Sequence, residues 1–344
     1  MTASISSTFD ALPFAQLFSM TEPTLNHVHC PGVSAADPAG APVIPGKGHR
    51  MAYWEWNDTG DAAHPHVVIC VHGLSRQGRD FDVLARRLSR HARVICPDVA
   101  GRGHSDWLAD PAAYQVPVYA GDMLALLAQV HAQALIGTLD WVGTSMGGLI
   151  GMAVCGQPGL PLPVPVRRLV LNDVGPVIEW QALQRIGTYL GRPVRFDSEQ
   201  QAADALWAIS SGFGPHTPEQ WLALSRGMLR EDRQGGQGGF TLHYDPAIAV
   251  PFRAVTQEAA RAGEALLWQL YDQITAKVLL LRGAESDLLS PATAALMARR
   301  GPQAACLELA GVGHAPTLVA DDQVEAVARF LGTDAAGDTE GARA

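Results

Sequence analysis

Leu139-Asp140-Trp141-Val142-Gly143-Thr144-Ser145-Met146-Gly147-Gly148-Leu149-Ile150 is a short apolar run that stops at a glycine-flanked serine and passes straight into helical spacing. The run predicts a strand covered on both faces, and the residues after it a helix. A serine between two such elements sits on a sharp strand-to-helix turn. That turn demands small neighbours, because a Cβ at Gly143 or Gly147 has no room where the backbone reverses. The turn would expose the Ser145 hydroxyl at the sheet edge. It would also set the Met146 N–H at the start of the helix, where unpaired donors and the helix dipole favour a developing oxyanion. Alone, G-x-S-x-G fits a glycine-rich turn with an inert serine equally well, so the rest of the chain must decide.

Working outward, Val67-Val68-Ile69-Cys70-Val71 is a second continuous apolar run, followed by His72-Gly73-Leu74. Helical spacing from Gly78 to Arg90, a strand at Arg93–Asp98 and a helix at Tyr119–His131 lead into the serine strand. The helix Gly147–Gly156 and the strand Arg168–Asp173 follow it. Such β-α alternation predicts an α/β fold with a mostly parallel sheet flanked by helices. After Val174-Gly175-Pro176 the alternation breaks into mostly helical text (Glu179–Leu190, Ser198–Ser211, Pro218–Arg230) that lasts to about Tyr271. It resumes with the strand Lys277–Gly283, a helix at Pro291–Arg300, the strand Ala305–Leu309 and a helix at Asp322–Leu331. The organisation expected is an N-terminal extension (1–48), an α/β core (49–175 and 272–332), an inserted helical cap (176–271) and a disordered tail (333–344). Within the extension, the stretch from Phe9 to Phe18 could pack as a short helix, and Pro31 to Gly48 reads as a connector.

At 344 residues with 47% hydrophobic and 17% charged residues, the chain has material for a large core and is neither disordered nor fibrous. A net charge of -9 without any Lys/Arg block speaks against nucleic acid and anionic membranes, and favours a small neutral or apolar ligand. The five cysteines (Cys30, Cys70, Cys96, Cys155, Cys306) are scattered and odd in number, and Cys70, Cys96 and Cys306 lie in strand-like runs where a buried thiol acts as a small hydrophobe. No leader-like start and no membrane-length apolar window is evident, so a cytoplasmic protein is expected. His27, His29 and Cys30 lack a second ligand pair at structural-zinc spacing and read as solvated loop residues, so no metal is expected.

Two further motifs follow sheet strands: Arg282-Gly283-Ala284-Glu285-Ser286-Asp287 and Gly311-Val312-Gly313-His314-Ala315-Pro316. In a parallel sheet, residues just past the strands share the carboxyl edge, so Ser145, Asp287 and His314 can converge despite their separation. With His72-Gly73, Asp98-Val99-Ala100-Gly101-Arg102-Gly103-His104-Ser105 and the serine motif in order, the chain from about Arg50 to Leu331 resembles the α/β-hydrolase family, specifically cap-containing esterase-like members.

The resemblance implies Ser145 as nucleophile, His314 as general base and then acid, and Asp287 as the carboxylate that orients the imidazole. It implies an oxyanion hole from the backbone N–H groups of Leu74 and Met146, with His72 and Gly73 shaping the turn beneath it. Asp173 is the rival acid, since it too follows a strand; Asp287 is preferred because Asp173-Val174-Gly175-Pro176 reads well as the turn that launches the cap. Asp98, Arg102 and His104 are expected to brace the neighbouring loop, and Glu285 to be solvated. Among the cap aromatics Trp180, Tyr189, Trp207, Phe213 and Trp221, most should glue cap to body and a minority line an acyl pocket. The function implied is hydrolysis of short- to medium-chain carboxylic esters, including oligoesters, by a monomer or homodimer without cofactor. A C–C bond hydrolase of ring-cleavage diketones, with Arg185, Arg192 and Arg195 supplying a polar pocket, is the first alternative. Lactonase or thioesterase activity and a non-catalytic binding protein are the others.

Overall fold

The computed structural model describes residues 22–33, 45–232 and 238–333. The Phe9–Phe18 stretch, the middle of the expected connector, part of the loop Gly235-Gly236-Gln237-Gly238-Gly239 and all but the first residue of the expected tail lie outside them.

In chain order the described elements are β1 (Thr24–Val33), β2 (Pro45–Trp56), β3 (His66–Val71), α1 (Asp82–Leu88), β4 (Arg93–Pro97), α2 (Val116–Gln133), β5 (Thr138–Thr144), α3 (Met146–Gly156) and β6 (Val166–Asn172). An inserted segment then holds α4 (Trp180–Tyr189), α5 (Glu199–Ser210), α6 (Pro218–Arg226), β7 (Leu229–Glu231), β8 (Phe240–Leu242), α7 (Ala249–Ala254) and α8 (Gln257–Asp272). The chain closes with β9 (Lys277–Gly283), α9 (Pro291–Met297), β10 (Ala305–Leu309) and α10 (Asp321–Leu331). Eight strands form one sheet in the order β1-β2-β4-β3-β5-β6-β9-β10. β2 runs antiparallel to both of its neighbours, and every other pairing is parallel. This is the α/β-hydrolase fold.

The central strands are apolar on both faces because both are covered. Ile69, Trp141, Leu169 and Leu280 bury against α2, α3 and α8, while Val68, Val142, Val170 and Leu281 pack toward Leu84 and Leu88 of α1 and Val327 and Leu331 of α10. Period-2 alternation thus carries hydrophobic residues to both sides, which is why these strands read as unbroken runs.

Three expectations change. Residues 24–33 are not extension: they form an edge strand paired with β2 from Thr24↔Glu55 to Val33↔Pro45. Val28 and Cys30 face the core, while His27 and His29 point to the exposed face, so the mooted His27–His29–Cys30 group is split between the two sides of a strand. The polar outward residues hid the alternation. Within the insertion, the helix expected to reach Arg230 stops at Arg226, with Gly227 as its cap, and a two-stranded β7–β8 hairpin follows. Cys306 is exposed, because β10 is the last strand and has a neighbour on one side only. Cys70 and Cys96 are buried free thiols, as their strands predict.

Candidate active site

Ser145 sits between β5 and α3 with φ 50° and ψ -115°, a backbone conformation that side-chain-bearing residues rarely adopt. The glycines make it possible. A Cβ at Gly147 would overlap the Val71 carbonyl, and one at Gly143 would overlap the Gly147 carbonyl. Ser145 N–H donates to Asn172 O at 3.0 Å, and its carbonyl accepts from Gly148 and Leu149, so the strained residue is held from both sides.

His314, in the loop between β10 and α10, places Nε2 3.0 Å from Ser145 Oγ and Nδ1 2.8 Å from Asp173 Oδ2. A carboxylate only accepts, so Nδ1 carries the proton and Nε2 is left free to receive one from the serine. Asp173 is fully buried just past β6. Its Oδ1 accepts from Gly283 N–H at 2.9 Å, and its Oδ2 also accepts from Ser286 Oγ–H at 2.6 Å. The direction of that last bond follows from its surroundings: Ser286 Oγ accepts from the N–H groups of Leu288 (3.3 Å) and Leu289 (3.1 Å), which leaves its own proton for Asp173.

The geometry therefore corrects the expected acid. Asp287 does not reach His314; it is half exposed and forms a bidentate pair with Arg185 at 2.7 and 2.9 Å. Neighbouring residues on the turn after β9 point opposite ways, so Ser286 turns in and Asp287 turns out. The ends of β6 and β9 are adjacent, which puts a carboxylate after either strand in range of the same histidine. Sequence order alone does not choose between them. Glu285, expected to be solvated, is exposed.

Beneath the serine, His72 is buried with Nδ1 2.7 Å from Gly73 O, and Nε2 accepts from Val99 N–H at 2.9 Å. Burial holds its imidazole down to about 3, so the ring is a neutral brace. Gly73 lies alongside Ser145: a Cβ there would meet the serine Cβ at 3.7 Å, an ordinary contact. Arg102, also buried, donates to Leu74 O (2.9 Å), Ala100 O (2.7 Å) and Tyr119 Oη (2.9 Å) and lies 3.7 Å from Met146 Sδ. It ties the Leu74 turn to the floor under Met146. Asp98 accepts from Gly78 N–H (2.7 Å) and His104 N–H (2.9 Å), while the His104 ring itself packs edge-on against Trp54 at the surface. The segment after β8 is clamped to this loop through Tyr114 Oη–Asp245 at 2.6 Å and Gly103 N–His243 Nδ1 at 2.7 Å.

Ser145, Met146 and Leu74 open onto a cavity of about 890 Å³ whose walls are mostly apolar: Tyr114, Tyr119, Leu149, Val177, Trp180, Leu183, Ile186, Phe252 and Leu267 among others. Of the five aromatics singled out in the insertion, Trp180 lines it. Trp207, Phe213 and His216 instead pack edge-on around Trp221, and Trp207 also meets His216. Tyr114, Tyr119 and Phe252 were not anticipated as lining residues. Arg185, Arg192 and Arg195 do not line the cavity.

Away from the site, Cys30, His49 and Asp122 offer donor atoms within 4.8 Å of one another, the one group of metal-ligand type among the described residues. His49 Nε2 and Asp122 are hydrogen-bonded at 3.0 Å, and burial pushes both the thiol and the carboxyl up toward their protonated forms. As it stands the cluster fastens β1 and β2 to α2.

Residues 68–330 match the model of the alpha/beta hydrolase family. A 3-hydroxybutyrate-oligomer hydrolase of Cupriavidus necator is 49% identical over 290 residues, covering 84% of this chain and 95% of that protein. A pimeloyl-[acyl-carrier protein] methyl ester esterase of Xanthomonas oryzae pv. oryzae is 27% identical over 275 residues, 78% of this chain and 96% of that one. Among solved structures, an alpha/beta hydrolase from Novosphingobium aromaticivorans superposes with a TM-score of 0.72 at 33% identity, covering 92% of this chain and 100% of its own.

Proposed function

Because the chain belongs to the alpha/beta hydrolase family, we infer that it is a carboxylic ester hydrolase, and we propose oligoesters of short hydroxy acids as its substrates. The observation that carries the reading is the continuous hydrogen-bonded line Ser145–His314–Asp173 opening onto an apolar cavity. The relative that hydrolyses 3-hydroxybutyrate oligomers supports the choice of substrate.

In this reading Ser145 Oγ attacks the ester carbonyl while its proton passes to His314 Nε2, and Asp173 stabilises the imidazolium that forms. The N–H groups of Met146, at the first turn of α3, and Leu74 receive the oxyanion. The tetrahedral intermediate collapses, the alcohol leaves with the proton from His314, and a water activated by the same imidazole releases the acid. Ser286 and Gly283 hold the Asp173 carboxylate against the ring through one hydrogen bond to each oxygen. The inserted elements between β6 and β9 act as the cap that roofs the acyl cavity. Five free thiols support work in a reducing compartment, the cytoplasm.

The C–C hydrolase alternative loses its motivation, since the three arginines that were to serve enolate substrates do not line the cavity. Wild type and Ser145→Ala compared on p-nitrophenyl esters of increasing acyl length and on 3-hydroxybutyrate dimers and trimers test the proposal. Fast turnover that falls by about 10⁶-fold in the variant is expected. A variant that keeps a substantial share of the activity would overturn the assignment of the nucleophile.

A further inference from the structure

A second, smaller cleft of about 250 Å³ adjoins the catalytic cavity, and Trp180, Leu183, Phe252 and Val255 form walls of both. It runs between α4 and α7. Gly187 gives it width: a Cβ there would only just touch Phe252, at 3.7 Å, so the space beside the ring is open. Arg253 is the only charged side chain among the described residues that line the cleft, and no carboxylate among the described residues lies in salt-bridge range of it. One of its N–H groups donates to Leu190 O at the C-terminal end of α4 (2.8 Å), and its other donors remain available. The charged residues on the wall of the main cavity are Glu179, Arg261 and Glu264, a net negative set. Charge therefore runs from negative at the catalytic cavity to positive in the cleft.

Resting on the oligoester reading above, we propose that this cleft is a subsite for the carboxylate-bearing end of a linear hydroxy-acid oligoester, with Arg253 as counter-ion. Such a chain is neutral along its ester groups and carries one charge, at its acid terminus. The chemistry fixes which product that terminus belongs to. When Ser145 Oγ bonds to the scissile carbonyl carbon, the carbon–alkoxy bond breaks, and the alkoxy oxygen leaves with a proton from His314. That alcohol fragment keeps the carboxylate, whereas the acyl fragment on the serine keeps the hydroxyl end. The cleft thus holds the leaving group, and Arg253 acts in acylation and not in release of the acyl-enzyme by water.

The test compares wild type, Arg253→Gln and Gly187→Leu on three probes: the linear 3-hydroxybutyrate trimer as free acid, the same trimer as its methyl ester, and p-nitrophenyl butyrate. Arg253→Gln should lower kcat/KM for the free acid by about fivefold, as expected for a partly solvated charge pair, and leave the methyl ester and p-nitrophenyl butyrate unchanged. The free-acid preference of the wild type should also fade with added salt. Gly187→Leu, a substitution that raises helix propensity, should slow both trimers and spare p-nitrophenyl butyrate. An unchanged ratio of acid to methyl ester in Arg253→Gln would overturn the subsite even if the melting temperature falls, because Arg253 would then serve only to cap α4. Trimer turnover unaltered by Gly187→Leu would overturn the cleft as the path of the chain. Wild type that cleaves p-nitrophenyl butyrate but neither trimer would overturn the oligoester reading itself, and the subsite with it.

Discussion

The turn after β5 and the loop after β9 stand near each other at the carboxyl edge of one sheet, yet only the first has a conformation that its own residues enforce. At Ser145 the positive φ, the overlap awaiting a side chain at Gly143, and the helix that begins at Met146 arise within six consecutive residues, and only the room kept by Gly147 is demanded from outside, by the Val71 carbonyl. The loop after β9 offers Glu285, Ser286 and Asp287 in a row, and nothing local says which one turns inward. The inward place goes to Ser286, and the carboxylate that meets His314 comes from the neighbouring strand as Asp173. A side chain on a strained turn is legible from sequence; a side chain placed by what its neighbours leave room for is not.

The sharpest way to break this contrast is to exchange the two aspartates for asparagine. Asp173→Asn should lower kcat by about 10³- to 10⁴-fold, since the amide presents the wrong partner to His314 Nδ1 and favours the wrong tautomer. Asp287→Asn should leave kcat within about threefold and cost less than about 1 kcal/mol, the loss of an exposed ion pair with Arg185. Steady-state kinetics and denaturant melts of both variants decide it, and the reverse ranking would return the acid to Asp287.

A smaller effect sharpens the same loop. Ser286→Ala removes a donor from Asp173 Oδ2 and an acceptor from the Leu288 and Leu289 N–H groups, and should cost about tenfold in kcat with little change in KM. Because the lost bond falls on the oxygen that also faces His314, the pH profile of kcat/KM should move as well. Restoring the hydroxyl with Ser286→Thr should recover part of the rate. A variant with wild-type kcat and an unmoved profile would reduce Ser286 to a turn residue.

The effect expected from the brace under the serine turn is one of stability and leaves the catalytic groups in place. Burial holds His72 at about 3, far below the roughly 6.5 of an exposed imidazole, so the unfolded chain takes up a proton that the folded protein refuses. The stability contributed by the neutral ring is fully present above pH about 6.5. It is lost as the pH falls toward 3, by at most about 1.4 kcal/mol per pH unit. Melting temperatures at pH 7 and pH 5 should therefore drop further in wild type than in His72→Asn, whose side chain does not titrate. Equal drops would mean that the ring is not what makes this half of the edge acid-sensitive.

Much of the molecule could be read from its residues because the signals are short-ranged. Unbroken apolar runs such as Val67–Val71 announce strands covered on both faces, the glycines around Ser145 announce the turn, and the position of His314 past the last strand places it at the carboxyl edge with the serine. The strand Thr24–Val33 was hidden because its outward residues, His27 and His29, look like those of a solvated loop. Its assignment depends on β2 lying beside it.

What only the tertiary structure decided has a common physical cause. Asp173 over Asp287, Trp180 over Trp207 or Trp221 as a cavity wall, and Cys306 at the surface in place of the core each depend on which groups from distant parts of the chain come to lie alongside. A carboxylate, an indole or a thiol has no preferred place of its own at the end of a strand or on a helix. Its role is set by the partner that packing delivers, and that partner lies tens to hundreds of residues away.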